Sequence, residues 1–306
     1  MDERWQKSLP VSWKNVRFTG GFWKKRQEIN EQVTLPAEYE QCKSSGRVDS
    51  VKCIYKPREN SGPGKGVFTI DGVLEENLAD GETIPRPHHY WDSDLAKWIE
   101  GASYALWYQR NPETEAVIDD FGKLQMPDGY VNTYYTVVEP GKRWTNVHRM
   151  HELYCAGHLI EAAVAYYEAT GKAKLLEIVE RYADHIDRVF GPADYQIHGY
   201  PGHQEIELAL VKLYRLTGKQ NYLELAAYFL NERGKQPYFF EEEARKQGRD
   251  PEDGGPKGIL GKSFLSQGPY ALFQAHLPVR EQVTAEGHAV RLAYMGGSMA
   301  DVAAET

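Results

Sequence analysis

The chain has 306 residues, with 36 Lys and Arg against 44 Asp and Glu, and its formal net charge is −8. A chain of this length can bury a sizeable core, and the acidic balance argues against a general nucleic-acid binder, which would show a basic face. No stretch approaches the roughly 18 apolar residues that a membrane-spanning helix needs. Aromatic residues make up 12% of the sequence, a content typical of proteins whose rings pack large helices or line sugar-binding clefts.

The N-terminus and the cysteines indicate the compartment. The first six residues contain no apolar core and no small-residue cleavage site, so we expect no signal peptide. The cysteines Cys42, Cys53 and Cys155 are few and odd in number, and none forms a CxxC pair, which disfavours a disulfide framework. Together these observations predict a reducing, cytoplasmic location.

The first 85 residues predict a mostly irregular segment. They are punctuated by Trp, Gly and Pro, as in Thr19–Trp23 and Ser61–Gly64. One helix is predicted at about Leu35–Ser44. We therefore expect residues 1–85 to form an irregular N-terminal segment that packs on a helical domain formed by residues 86–306.

The apolar spacing becomes helical from Asp92. The run Asp92–Asp94 is a good cluster for a helix N-cap, and apolar residues recur behind it at helix spacing through Leu106. A second helix is predicted over about 113–124. Residues 125–144 combine Tyr, Val and Thr with turn residues, and they predict a short β hairpin.

Residues 158–186 and 205–233 are two copies of one pattern at a 47-residue offset. Each copy predicts an apolar-striped helix, a Thr-Gly stop and a second apolar-striped helix, since glycine after the last periodic residue ends helices. The two stops are Thr170-Gly171 and Thr217-Gly218. A weaker copy over 102–121 precedes them. Helical hairpins repeated at this spacing predict a solenoid or a closed ring, and the inserted loops favour the ring.

Residues 287–306 are helical again and end where the earlier copies place their Thr-Gly turn. A helix that stops there lacks its C-terminal cap and the return helix that would cover its apolar face. A ring of six hairpins needs about 12 helices, of which only about seven or eight can be identified. The predicted fold class is therefore mainly α: an incomplete (α/α)6 barrel (a helical-hairpin toroid) that lacks its closing helices.

Two segments before the last helix complete the expected organisation. Residues 234–263 are charged and Gly-rich, and they predict either a loop at the mouth of a pocket or a disordered segment. Another helix is predicted over 267–276. The chain contains no phosphate-binding loop, HExxH or GxSxG motif.

Histidines at the starts and faces of helices are the main candidates for chemistry. His151, Cys155 and His158 stand at i, i+4 and i+7, so they share one helix face. This set allows a zinc site, but it also fits two hydrogen-bonded histidines beside a small buried thiol, which we favour. His203 is predicted to open the next helix of the repeat, and His288 to open the last helix.

Carboxylates and rings near helix starts are further candidates. A pair of carboxylates could serve as the acid and base of a glycosidase. The candidates are Asp92, Asp94, Glu152, Glu205 and Glu207. We expect Asp92 or Ser93 to act as a helix cap, and Glu205 and Glu207 to lie on a helix surface or bind a neighbouring loop. Tyr90 and Trp91 precede the cap cluster, where their rings would either stack on a sugar or pack in the core.

Four segments carry a family resemblance. They are Tyr90–Glu100, Asp128–Tyr134, His151–Ala162 and Gly287–Arg291. Together, in order along nearly the whole chain, they resemble glycoside hydrolase family 127, the β-L-arabinofuranosidases. The resemblance implies an (α/α)6 barrel that releases β-L-arabinofuranose from the non-reducing ends of oligosaccharides. It also implies a retaining mechanism with a zinc-held cysteine as nucleophile and a glutamate as acid/base.

The resemblance also implies which site residues this chain carries. It places the acid/base glutamate, the zinc ligands and the cysteine nucleophile beyond Thr306, so we expect neither a catalytic residue nor a metal or other cofactor in this chain alone. Zinc is expected only where a C-terminal half supplies its ligands. The positions that resemble the sugar-binding part of the pocket are His151, His203, His288, Gln41, Tyr90 and Trp91. Cys155 is no substitute nucleophile, since burial within a helix would raise its pKa and make it inert.

Three functions stay open on these residues. The first is the N-terminal portion of an arabinofuranosidase-type hydrolase, which binds an L-arabinose-containing oligosaccharide and needs the remainder of the gene product or a second polypeptide for chemistry. The second is a non-catalytic, self-associating sugar-binding or remnant protein. The third, by fold analogy, is a sugar isomerase or epimerase with histidine acid–base pairs. Apolar faces uncovered at the ring opening predict a homo-oligomer or a partner chain, and we expect no nucleic-acid or membrane partner.

Overall fold

The three-dimensional structure of the chain is a computed structural model. It describes residues 11–57, 66–70, 73–74, 86–108, 111–248 and 269–306. The fold is mainly helical, which confirms the predicted class. The chain divides into two compact units, Met1–Gly141 with Glu161–Glu180 and Lys142–Ile160 with Arg181–Thr306. The predicted domain boundary at residue 85 stays a prediction. Within the described residues, no helix has both the length and the apolar content to cross a membrane.

The first unit begins with more helix than the sequence predicts. Its leading elements are a 3₁₀ turn (Trp13–Asn15), α1 (Gly21–Ile29), a π turn (Asn30–Thr34), α2 (Leu35–Ser44) and α3 (Arg47–Ser50). The predicted helix over 35–44 is confirmed. Helix α1 contains no buried residue, and its large apolar side chains Phe22, Trp23 and Ile29 are exposed.

A small antiparallel sheet follows, in the strand order β1 (Cys53–Pro57), β2 (Gly66–Ile70) and β3 (Val73–Leu74). Cys53 is paired with Ile70, and Thr69 with Leu74. The hairpin predicted over 125–144 is wrong, because that segment forms a short helix.

The short helix is α6 (Thr133–Val137), and a local cap explains it. The side chain of Asn132 accepts a hydrogen bond from the Tyr135 N–H (3.0 Å), and Thr136 Oγ1 donates to the Asn132 carbonyl (2.6 Å). These bonds satisfy the first turn of the helix, and they outweigh the β propensity of the Tyr and Thr residues.

Two helices of the first unit follow the predicted positions. Helix α4 (Trp91–Leu106) is joined to α2 by the Trp98 indole, which donates to the Leu35 carbonyl (3.0 Å). Helix α5 (Pro112–Leu124) begins with proline, and its N-cap side chain, Asn111, accepts from the Thr114 N–H (3.3 Å). The helix predicted over 113–124 is therefore confirmed, and its start follows from proline and asparagine chemistry.

The two predicted repeat copies are confirmed as helix pairs. They comprise α7 (Glu152–Thr170) with α8 (Lys174–Val189), and α9 (Ile206–Thr217) with α10 (Gln220–Glu232). The first helix of each pair is followed by glycine in the left-handed conformation, with φ of 71° at Gly171 and 73° at Gly218. Only glycine adopts this φ without a steric cost, so the repeated Thr-Gly signal has a direct conformational cause.

The second unit ends in helix α12 (Ala289–Glu305), which confirms the helix predicted over 287–306. Helix α12 packs on α9 and α10 through a core cluster that contains Leu230 and Met295. Earlier in the unit, α11 (Phe239–Lys246) lies within the predicted loop of 234–263, of which residues 249–263 lie outside the described residues. The helix predicted over 267–276 is a 3₁₀ turn, Pro269–Phe273, in its described part.

Candidate functional site

Three of the predicted sugar-binding residues, His151, His203 and His288, lie together in the second unit. The ring centroids of His151 and His203 are 5.7 Å apart, and those of His203 and His288 are 5.9 Å apart. Tyr154 lies 4.5 Å from His203, and Tyr294 lies 5.8 Å from it, between ring centroids. The five rings form one cluster, which we call the histidine cluster.

The two tyrosines of this cluster were not among the candidates named from the sequence. Tyr154 stands three residues after His151, so the helical spacing of α7 was a signal that could have found it. Tyr294 lies on α12, and its place beside His203 depends on how α12 packs against α9.

Backbone geometry at the helix starts holds the histidines in place. His151 precedes α7 with a φ of 58°, a left-handed conformation that is uncommon outside glycine and concentrates at functional positions. His288 is the N-cap of α12, where its Nδ1 accepts from the Arg291 N–H at 3.5 Å. The cap bond of His288 therefore uses Nδ1 and not Nε2.

The hydrogen bonds of the rings determine which nitrogen carries the proton. Nδ1 of His151 donates to the Arg149 carbonyl (2.7 Å), and Nδ1 of His203 donates to the Gln204 carbonyl (2.8 Å), because a carbonyl can only accept. In a neutral ring, Nε2 is then an acceptor. His288 has the opposite arrangement, since its Nδ1 accepts and its Nε2 carries the proton. The cluster therefore combines two acceptor nitrogens with one donor.

Burial favours the uncharged form of two rings of the cluster, His203 and His288. Burial lowers the pKa of His203 to about 3, opposed by its bond to the Gln204 carbonyl and reinforced by the charge of Arg291. The pKa of His288 is also lowered, first by burial and then by Arg291. Burial lowers the pKa of Arg291 itself to about 10, and its guanidinium lies over the Phe273 ring at 4.5 Å. At neutral pH the His203 ring is therefore uncharged, and the same burial shifts His288 towards its uncharged form.

Glu205 and Glu207 lie buried in the same unit, which corrects the first of the two expectations for them, a helix surface or a bond to a neighbouring loop. Both side chains are fully buried. Oε1 of Glu205 lies 3.4 Å from His158 Nδ1. Space for this carboxylate comes from Gly157, where a Cβ would overlap it. Glu207 accepts from the Glu205 N–H (3.1 Å) and lies 3.4 Å from the guanidinium of the buried Arg233.

The other candidate carboxylates hold local structure. Glu152 is buried and accepts from the Trp144 N–H (2.9 Å). In the first unit, Asp92 lies in the first turn of α4 rather than at the predicted cap, and it accepts from the N–H (2.8 Å) and Oγ1 (2.5 Å) of Thr133. Burial raises the pKa of Asp92 to about 6, and the two bonds from Thr133 oppose that rise. Asp94 forms an ion pair with Arg47 at 2.6 Å.

The remaining predicted sugar-binding residues belong to the first unit. Gln41 is exposed on α2. Tyr90 is 40% exposed and its ring lies 4.2 Å from that of His88. Trp91 is half-buried under the Arg47 guanidinium, which lies 5.0 Å from the ring centroid. Their assignment to the sugar pocket stays a prediction.

The set His151, Cys155 and His158 was a possible zinc site. Zinc requires ligand atoms that converge on one point. In the described ranges, these three side chains do not form a group whose ligand atoms all lie within 4.8 Å of one another. Cys155 is a free, buried thiol within α7. These residues therefore do not fit a zinc ion.

Comparisons with known proteins converge on one activity. A non-reducing end β-L-arabinofuranosidase of Bifidobacterium longum subsp. longum is 35% identical over an alignment of 300 residues, which covers 94% of this chain and 43% of that protein. The crystal structure of a GH127 β-L-arabinofuranosidase from Geobacillus stearothermophilus T6 matches with a TM-score of 0.77 and 42% identity, over 95% of this chain and 42% of that chain. The structure of another GH127 β-arabinofuranosidase matches with a TM-score of 0.72 and 34% identity, over 97% of this chain and 40% of that chain.

This chain therefore spans less than half the length of these relatives. The family model for the β-L-arabinofuranosidase GH127 catalytic domain matches residues 15–306, which is nearly all of the chain. The match includes the three histidines of the cluster and the helix pairs that hold them. The chain belongs to glycoside hydrolase family 127.

Proposed function

We propose that the chain forms the sugar-binding part of a β-L-arabinofuranosidase and recognises a terminal β-L-arabinofuranosyl group of an oligosaccharide. The observation that carries this proposal is the histidine cluster, in which Nε2 of His203 is an acceptor and Nε2 of His288 is a donor, beside the ring of His151. Sugar hydroxyls both donate and accept, so one sugar can bond to both nitrogens. The tyrosine rings beside them supply the apolar surface that excludes water from such a pocket.

The electrostatics support binding over proton transfer by these histidines. A general base works best with a pKa near the operating pH, whereas the pKa of His203 is held at about 3. This disfavours the isomerase alternative. The carboxylates Asp92, Glu152 and Glu207 each hold a structural partner, which supports a division in which the acid/base and the nucleophile come from elsewhere.

The finer assignments complete the proposal. The remainder of the gene product, or a second polypeptide, supplies the acid/base glutamate, the cysteine nucleophile and the zinc that holds it. Val290 and Met299 of α12 are exposed, which supports a homo-oligomer or a partner chain at this face. The absence of a disulfide among the three cysteines supports a cytoplasmic location.

The binding experiment uses calorimetric titration of the chain with methyl β-L-arabinofuranoside, beside its α-anomer. We expect binding that prefers the β-anomer, and a loss of about tenfold or more in His203→Leu, because its acceptor is gone. His198→Leu is the matched control, since His198 is an exposed histidine of the same unit. Failure of the wild-type chain to bind either anomer would overturn the proposal.

The division of labour is tested by hydrolysis of an aryl β-L-arabinofuranoside. The chain is assayed alone and then mixed with a polypeptide that covers the missing part of the longer relatives. We expect hydrolysis only in the mixture. Hydrolysis by the lone chain contradicts the division, and sugar binding without hydrolysis in either case favours the non-catalytic sugar-binding protein.

A further inference from the structure

Two buried glutamines connect the segments that carry His203 and His288. Gln204 directly follows His203, and Gln274 lies in the loop that precedes His288. Both side chains are fully buried. Neither residue was a candidate in the sequence, and their role in this fold is separate from contact with a sugar.

The amide of Gln204 reaches across to the second segment. Its Nε2 donates to the carbonyl of Phe273 (3.2 Å) and to Oε1 of Gln274 (3.0 Å), and it lies 3.8 Å from the sulfur of Met295 on α12. Through its side chain, Gln204 therefore connects the segment of His203 to the loop before His288 and to α12, the helix that His288 caps.

The amide of Gln274 continues the connection. Its Nε2 donates to the carbonyls of Glu286 (2.8 Å) and His288 (3.2 Å). Oε1 of Gln274 accepts from Gln204, so both amide orientations are determined by their partners. Gln274 holds a left-handed backbone with a φ of 51°, a conformation that persists only where surrounding contacts over-determine it.

Arg233 also binds both of the segments that Gln204 and Gln274 connect. Its guanidinium is fully buried and donates to the carbonyls of Phe273 (2.9 Å) and Pro201 (2.7 Å). Pro201 lies two residues before His203, and Phe273 directly precedes Gln274. The two histidine-bearing segments are thus joined at a single buried polar network.

We propose that Gln204 and Gln274 are positioning residues that set the separation and the ring orientation of His203 and His288. In this network Gln274 donates to the His288 carbonyl and accepts from Gln204, which directly follows His203. Loss of the Gln274 amide removes a donor to the carbonyls of Glu286 and His288, and loss of the Gln204 amide removes the donor to the buried Oε1 of Gln274. The loop must then shift to replace these bonds. That shift moves His288 away from the Arg291 N–H that determines its proton position. The effect on sugar affinity rests on the proposed function, whereas the effect on the rings does not.

The test is a long-range ¹H–¹⁵N NMR spectrum of the chain with ¹⁵N-labelled histidine, which reports the protonated nitrogen of each ring. In the wild-type chain we expect opposite tautomers for His203 and His288. In Gln274→Met and, as a second variant, Gln204→Met, we expect the His288 signals to move towards a tautomer mixture. Affinity for methyl β-L-arabinofuranoside should fall about tenfold in the same variants.

Gln196→Met is the matched control. Gln196 also holds a loop of this unit, since its Nε2 donates to the carbonyls of Asp187 (2.7 Å) and Phe190 (3.0 Å). It should lower the melting temperature and leave the imidazole signals of His203 and His288 unchanged. If either folded glutamine variant keeps wild-type imidazole signals, or if Gln196→Met shifts them equally, the positioning role is wrong. If the wild-type chain binds no sugar but the two variants shift the signals, the proposed function fails and the positioning role stands.

Discussion

Burial of His203 should make the folded chain less stable in acid. Its pKa is about 3 in the folded state against an ordinary value of 6.5. Between these values the unfolded chain holds a proton that the folded chain does not, so stability falls as the pH drops. The stability that depends on the neutral form of His203 is fully present above pH 6.5, and it is lost progressively as the pH falls from 6.5 towards 3. At pH 5, about 1.5 units below the ordinary pKa, the loss is about 2 kcal/mol, because each unit corresponds to about 1.4 kcal/mol.

The measurement is urea unfolding of the wild type, His203→Leu and His198→Leu at pH 8 and pH 5. Asp92 acts with the opposite sign in part of this window, because its raised pKa of about 6 makes the folded chain hold the extra proton. The contribution of His203 is therefore the difference between the wild type and His203→Leu, which cancels the other groups. We expect wild-type stability to fall by about 2 kcal/mol more than that of His203→Leu, and His198→Leu to follow the wild type.

Parallel losses in the wild type and His203→Leu would refute the reasoning, since His203 would then titrate alike in the folded and unfolded chains. A larger loss in His203→Leu would refute it as well, because it would mean that the folded state favours the charged ring.

Two further predictions concern the surroundings of the cluster. Gly157→Ala places a Cβ onto the Glu205 carboxylate and 2.8 Å from the Ile206 Cα, so urea unfolding should show a loss of about 2 kcal/mol or more. In Gly101→Ala the nearest atom is a side-chain carbon 3.6 Å away, so this helical control should be neutral or stabilising, and equal losses in the two variants would contradict the close approach at Gly157. Arg291→Met removes a positive charge that lowers the pKa of His288, so an NMR titration should show that pKa higher than in the wild type, whereas Arg291→Lys keeps the charge and should stay near the wild type. An unchanged or lower pKa in Arg291→Met would show that burial alone sets the titration of His288.

Local patterns in the sequence were enough to predict most of the helices. The apolar spacing of the two repeat copies and their Thr-Gly stops is a property of neighbouring residues, and glycines at 171 and 218 adopt the left-handed turn that this pattern requires. The three histidines of the cluster were also identifiable as candidates, because His151 and His288 stand in segments that resemble the family and His203 was predicted to open a helix.

Other features depended on partners that are distant in sequence. The Asp92 side chain accepts from Thr133, 41 residues away in the sequence. Asp92 therefore lies in the first turn of α4 and does not form the predicted cap. Glu207 can be buried because its carboxylate accepts from the Glu205 N–H and pairs with the Arg233 guanidinium. A partner as distant in the sequence as Arg233 cannot be predicted from a local pattern. Gln204 and Gln274 are 70 residues apart, so their connection exists only once the helices have packed.

The sequence by itself therefore determined the helices, their stops and the candidate histidines, since periodicity and turn chemistry act over a few residues. Only the tertiary structure decided that His151, His203 and His288 meet beside Tyr154, and that burial lowers the pKa of His203 and His288. The physical reason is that burial, hydrogen-bond partners and the pKa values that follow from them arise between segments, after the chain has brought those segments together.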